Sequence, residues 1–228
     1  MSVRAVIFDM DGLMFDTENL VRRSWDMAGA AIGYEGFGDN IFFTLGKGER
    51  DRKEYFKEKY GADFPYEQFK ADYYRFFREE VRQRGVPVKP GLYELLEYLR
   101  KRGIRAAVAT SSSRESAMDK LTRTGTEQYF CRVVGGDMVL RAKPDPEIYL
   151  TAFQLLEESE RLERGCDLAR DEALVLEDSE NGLRSALAAG IPAIMIPDLI
   201  QSLPELEPKL AAKLPSLDRV IGYIEDKF

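Results

Sequence analysis

The 228-residue sequence contains no histidine. Every mechanism built on imidazole is thereby excluded: the Ser-His triad, the Cys-His dyad, the HExxH zinc site and phosphohistidine chemistry. Acid and base work falls to carboxylates, lysine or tyrosine. Cysteine is almost absent as well. Cys131 and Cys166 form no CxxC pair, so neither a disulfide framework nor a zinc set is expected, and both read as inert thiols. No apolar run approaches the roughly 18 residues of a membrane span, and the first, from Val3, lacks a charged leader and a cleavage site. The expected location is a reducing cytoplasm. Positive charge is in deficit, 33 Lys and Arg against 40 Asp and Glu for a net charge of -7, which gives neither nucleic acid nor an anionic membrane a basic footprint to grip. What remains is an ordinary globular make-up, 44% apolar and 32% charged. At this size folding hides roughly 70% of the extended surface, so a core forms without metal or disulfide support.

Val3 to Phe8 is short, branched and mostly apolar and ends abruptly at Asp9-Met10-Asp11-Gly12, the pattern of a buried strand followed by a loop. From Asp16 the period changes to that of helices. Leu20, Val21, Ser24, Trp25 and Ala28 share one face, followed by Tyr55, Phe56 and Tyr60, then Phe69, Tyr73, Phe76 and Phe77, a stripe read as core. Gly85 to Gly91, with Pro87 and Pro90, closes this stretch as a return linker. Beyond it strands (105–110, 133–134, 173–177, 193–196) alternate with helices (from Leu92, 113–122, 146–156, 181–189, and a last one through Leu217 and Ile224), while 157–172 reads as a solvated, charge-mixed connection. Alternation of this kind predicts an α/β fold: a Rossmann-like, doubly wound parallel sheet with an inserted all-helical domain. The expected boundaries are 1–16 plus 87–228 for the core and 17–86 for the insert.

Such sheets bind ligands outside the carboxyl ends of their strands. There the sequence collects Asp9 and Asp11, then Thr110, Ser111 and Ser112, then Glu177 and Asp178, with Lys143 just ahead of a helix start at Pro144-Asp145-Pro146. So many like charges in one crevice repel unless a cation joins them, and Mg2+ prefers a few carboxylates, waters and a substrate phosphate. The expected partner is therefore a small phosphate monoester. Asp9 can serve as a carboxylate nucleophile, Asp11 across the turn at Gly12 as general acid and then base, and Lys143 and Thr110 as phosphate holders. Mg2+ would sit on Asp9, the backbone carbonyl of Asp11, and Asp178. Gly12, Ser111 and Ser112 are candidate phosphate contacts, although Ser112 or Ser113 could equally cap the following helix. Lys47 is a candidate contact from the insert.

Four segments carry a family resemblance: Phe8-Asp9-Met10-Asp11-Gly12-Leu13, Ala109-Thr110-Ser111-Ser112, Lys143-Pro144-Asp145-Pro146, and Leu176-Glu177-Asp178-Ser179-Glu180-Asn181-Gly182. They resemble, in order, the four motifs of the haloacid dehalogenase superfamily. Asp16-Thr17-Glu18 and the helical insert are similar to the cap of its β-phosphoglucomutase-like branch. The resemblance implies Mg2+, an aspartyl-phosphate intermediate on Asp9, a cap closing over substrate, the roles above for Asp9, Asp11, Thr110, Lys143 and Asp178, and Glu177 in or beside the metal set. Mutases of this branch carry a histidine where this chain has Val21, and a lysine where Leu45 precedes Gly46, so a phosphatase is favoured over a sugar-phosphate mutase. Met10, Gly46-Lys47 and Ala109-Thr110-Ser111-Ser112 are somewhat similar to pseudouridine-monophosphate phosphatases. The substrate is expected to be a sugar phosphate or a nucleoside monophosphate, and the working unit a monomer.

Alternative readings fail on particular residues. An EF-hand would need glycine where Met14 stands, and a P-loop would need Ser or Thr where Gly48 follows Lys47. A phosphorylatable receiver domain also gathers aspartates, Thr and Lys at strand ends, but it is roughly half this length.

Overall fold

The computed structural model describes residues 2–44 and 49–226. In chain order the elements are β1 (Ala5–Phe8), α1 (Thr17–Ala31), α2 (Ile41–Thr44), α3 (Glu49–Tyr60), α4 (Tyr66–Arg84), α5 (Leu92–Arg102), β2 (Arg105–Ala109), α6 (Arg114–Thr124), β3 (Arg132–Val134), α7 (Glu147–Arg164), β4 (Ala173–Glu177), α8 (Glu180–Ala188), β5 (Ala193–Met195), β6 (Ala212–Lys213) and α9 (Arg219–Glu225). They divide into two compact units, Met1–Phe15 with Val88–Phe228, and Asp16–Pro87. No described helix is long and apolar enough to cross a membrane.

The first unit is a six-stranded sheet in the order β3-β2-β1-β4-β5-β6, parallel throughout. Parallel neighbours need crossovers, and the intervening helices supply them. Alternate strand residues point to opposite faces, yet Ala5, Val6, Ile7 and Phe8 are all buried, so helices cover both faces. Ala5, Ile7, Ala107 and Val175 form one layer with Ile148, Tyr149 and Ala152 of α7 and with Leu183 and Ala186 of α8. In α5 the buried residues Leu92, Leu95, Leu96 and Leu99 keep helical spacing, each worth roughly 1.5–3 kcal/mol when withdrawn from water. The winding reverses between β1 and β4. Chain segments after β1 build outward to β2 and β3, and later ones build the other way to β5 and β6, so a crevice opens at the carboxyl ends of β1 and β4.

Two features depart from the sequence reading. Helix α7 continues to Arg164 through the segment read as a solvated connection. That segment turns Ser159 and Glu160 inward. Glu160 accepts hydrogen bonds from Arg4 at 2.7 Å and Arg105 at 2.5 Å and pairs with Arg164 at 3.2 Å. A periodicity scan counts apolar residues and overlooks a helix face completed by a neutralised acid. The second feature is β6, whose two residues are too few to register as a strand in sequence.

The Asp16–Pro87 unit is helical. Its ends meet, the Asp16 amide donating to the Pro87 carbonyl at 2.9 Å. Its interior is aromatic: Trp25, Phe37, Phe56, Phe64 and Phe69 are buried, with ring centroids 4.7 Å apart for Phe37 and Phe69 and 5.3 Å for Phe56 and Phe69. Of the stripe on α4 only Phe69 is fully enclosed, while Tyr73, Phe76 and Phe77 are half-buried. The centre belongs instead to Phe37 and Phe56, which arrive from a short turn and from α3.

Because Glu160 neutralises arginines from β1's approach, β2 and its own helix, Glu160→Ala is expected to cost about 3 kcal/mol, measured by urea unfolding.

Candidate functional site

The register of the parallel ladder aligns the strand ends. Phe8 lies beside Val108 and Leu176, so the next residues of β1, β2 and β4 leave the sheet at the same edge. The ladder extends one residue further where it matters: the Asp9 amide donates to Leu176 O at 3.0 Å and the Thr110 amide to Val134 O at 3.0 Å. Both side chains therefore rise from backbone that is still held. Lys143 reaches the same edge from the loop ahead of α7.

The Lys143 ammonium is the centre of the buried cluster. It donates to Asp9 Oδ1 at 2.5 Å, Glu177 Oε1 at 2.7 Å, Tyr149 Oη at 3.0 Å and the Ala109 carbonyl at 3.2 Å. Tyr149 is fully buried and donates its own proton to Glu177 Oε1 at 2.8 Å. Glu177 Oε2 accepts from the amides of Asp178 and Ser179 and from the Ser179 hydroxyl, each at 2.9 Å. Burial opposes charge at every one of these groups, and the neighbours decide the outcome. Burial pushes the Asp9 carboxyl up; Lys143 pulls it back, Glu177 and Asp11 repel it, and it ends at about 7. For Lys143, Asp9 and Glu177 outweigh burial and hold the ammonium well above its ordinary value. For Glu177, Lys143 and the donors on Oε2 outweigh burial and hold the carboxyl below its ordinary range. Tyr149 goes well up through burial and Glu177, and keeps its proton.

Asp11 stands at the edge of this cluster. Its Oδ2 accepts from the Ser112 hydroxyl at 2.7 Å, and its Oδ1 accepts from Lys120 Nζ, on α6, at 2.5 Å. Thr110 is buried, and its hydroxyl oxygen accepts the Ser112 amide at 3.1 Å. The Ser112 side chain, read as a phosphate contact or a helix cap, is thus engaged by Asp11. The cap of α6 is Ser113, which accepts from the Ser116 amide at 3.3 Å. Ser111 is exposed beside it. Asp137 accepts the Arg114 amide at 2.8 Å, the role of a turn aspartate. Lys47 lies outside the described residues.

Two glycines make the close approaches possible. Gly12 has φ +91°, and a Cβ there would meet Asp178 Oδ2 at 2.3 Å. At Gly182 a Cβ would fall 1.6 Å from Glu177 Oε1. Only a bare backbone admits these carboxylates. Gly182 is also the amide that Ser179, the cap of α8, accepts at 3.1 Å. Sequence reasoning missed Tyr149, Lys120 and the contact made by Gly182. Tyr149 carried one faint signal, a phenol on an otherwise apolar helix face, whose hydroxyl needs a buried partner.

Asp9, Glu177 and Asp178 each bring a carboxylate oxygen within 4.8 Å of the others. A buried all-oxygen donor set suits a hard cation such as Mg2+ and does not suit Zn2+, which favours nitrogen and sulfur. Within the set, both oxygens of Glu177 are engaged by five donors. Glu177, read from sequence as a ligand or its neighbour, lies in the same carboxylate set as Asp9 and Asp178 and also accepts from Lys143.

A family profile described as haloacid dehalogenase-like hydrolase matches residues 6–196. The chain is 32% identical over 196 residues to the "Phosphorylated carbohydrates phosphatase" of Thermotoga maritima, covering 84% of each. It is 31% identical over 208 residues to "Protein CbbY" of Cereibacter sphaeroides, covering 86% of this chain and 84% of that one. A crystal structure of CbbY from Rhodobacter sphaeroides in complex with phosphate superimposes with a TM-score of 0.74 at 26% identity, covering 96% of both chains.

Gly182→Ala is expected to force Glu177 or α8 aside and to lose about 1–3 kcal/mol in denaturation, with an unchanged midpoint contradicting the packing described. The Asp9 carboxyl yields a second expectation. Its pKa is raised from 3.8 to about 7 on folding, so the native state holds the proton more tightly, and stability from this group is present below pH 4 and lost as pH rises through about 7. In EDTA, Asp9→Asn should therefore melt higher than the parent at pH 8, with the gain shrinking toward pH 4.

Proposed function

Since the chain belongs to the haloacid dehalogenase-like hydrolase family, we propose that it is a Mg2+-dependent phosphatase that hydrolyses a small phosphorylated metabolite through an aspartyl phosphate on Asp9. The carrying observation is Asp9 itself, a buried carboxylate at the end of a central strand with Lys143 at 2.5 Å and Asp178 in the same cluster. Asp9 attacks phosphorus in line, and Asp11 gives its proton to the departing oxygen. Asp11 then takes a proton from water, which attacks the aspartyl phosphate, releases inorganic phosphate and restores Asp9. Lys143 and the Thr110 hydroxyl hold the non-bridging oxygens, and Glu177 with Tyr149 keeps Lys143 charged and aimed. Backbone at Gly12 and Ser111 lines the phosphate. Asp9, Asp178 and the Asp11 backbone carbonyl would hold Mg2+, which would neutralise part of the phosphate charge.

The helical unit serves as a cap domain of this branch, with Lys47 a candidate substrate contact. A relative named for phosphorylated carbohydrates supports a sugar phosphate ahead of a nucleoside monophosphate. The absence of histidine supports hydrolysis ahead of mutase chemistry. The enzyme is proposed to work in the cytoplasm as a monomer.

The test is phosphate release by purified protein with Mg2+ across sugar phosphates and nucleoside monophosphates. Release should vanish in EDTA and fall at least about 10³-fold in Asp9→Asn. Isomerisation of a hexose phosphate without net phosphate release would instead establish a mutase, and binding without turnover of any compound would refute catalysis.

A further inference from the structure

The Lys120 side chain is almost enclosed, with a relative exposure of 12%, although it carries a charge and lies on a helix whose flanks are polar. An ordinary surface ion pair is too weak to repay the entropy lost when a long side chain is frozen. Lys120 is frozen nonetheless, and its ammonium donates to Asp11 Oδ1 at 2.5 Å. The other oxygen, Oδ2, is held by the Ser112 hydroxyl at 2.7 Å. The two donors approach from one rigid segment. Ser112 is held on both sides of its backbone, its amide donating to Thr110 Oγ1 at 3.1 Å and its carbonyl accepting the Gly136 amide at 2.8 Å. Helix α6 is capped by Ser113 and anchored by buried Ala117 and Leu121. A carboxylate gripped at each oxygen by a different donor cannot rotate about its own bonds.

We infer that Lys120 is a positioning residue for Asp11: with Ser112 it fixes the direction in which the Asp11 carboxyl presents its proton to the departing oxygen. The inference rests on the proposed role of Asp11. It separates Lys120 from Lys143, which lies on the nucleophile side of the cluster. Orientation of a proton donor matters in proportion to how badly the leaving group needs a proton. A sugar alkoxide needs one, whereas p-nitrophenolate leaves without help.

The experiment compares kcat/KM, which reports the step of leaving-group departure, for a sugar phosphate and for p-nitrophenyl phosphate. Lys120→Met should lose about 10- to 100-fold on the sugar phosphate and less than about threefold on p-nitrophenyl phosphate, whose retained turnover also shows that the variant is folded. Lys120→Arg, which restores a cationic donor, should recover part of the loss on the sugar phosphate. Equal losses on both substrates, or no loss on either, would overturn the inference. Asp11→Asn separates the two levels of the argument. If it shows the same leaving-group selectivity and Lys120→Met does not, the inference alone fails. If Asp11→Asn shows no selectivity, the proton-donor reading of Asp11 fails and the inference falls with it.

Discussion

A single buried ammonium organises the carboxyl edge of the sheet. Lys143 touches Asp9, Glu177, Tyr149 and a main-chain carbonyl at once, and its side chain is almost fully buried. Two carboxylates brought together without it would repel and take up protons. With it, Glu177 stays ionised while Asp9, more weakly compensated, is left poised near neutrality. The difference follows from the donors each acid owns. Glu177 has five, including the two amides that open α8, whereas Asp9 depends on Lys143. One acid is thereby a fixed counter-charge, and the other keeps the raised pKa of a candidate reactive group.

That arrangement constrains the backbone around it. A parallel sheet wound in two directions from β1 leaves a crevice between β1 and β4, and the register aligns their last residues. Side chains emerging there still need room, and Gly12 and Gly182 provide it where a methyl group would strike Asp178 or Glu177. Their sequence positions, Gly12 directly after Asp11 and Gly182 five residues after Glu177, follow from packing around the carboxylates.

Stability and reactivity are distributed differently in the two units. The sheet unit carries buried charge, as in the Lys143 and Glu160 clusters, each neutralised by partners from several elements. The helical unit rests on aromatic rings around Phe37, Phe56 and Phe69, and is stabilised by apolar burial and edge-to-face contacts. The packing of such an aromatic interior does not itself depend on ionisation.

Much of the site could be read directly from the chain because its chemistry is written at strand ends. Val3 to Phe8 halting at Asp9, Arg105 to Ala109 halting at Thr110, and Ala173 to Leu176 halting at Glu177 and Asp178 are local patterns, and parallel pairing is enough to bring such ends together. The absence of histidine likewise restricts the chemistry at the level of the sequence. What the chain could not disclose are contacts between distant residues with no periodic signature. Lys120 and Asp11 are 109 positions apart, and Tyr149 lies in a helix face whose pattern is apolar. The same blindness hid the last turns of α7, where a neutralised Glu160 replaces the expected apolar residue. Hydrophobic periodicity is a property of neighbours along the chain and therefore of sequence. The engagement of a buried charge depends on which side chains meet across the fold, and only the tertiary structure decides that.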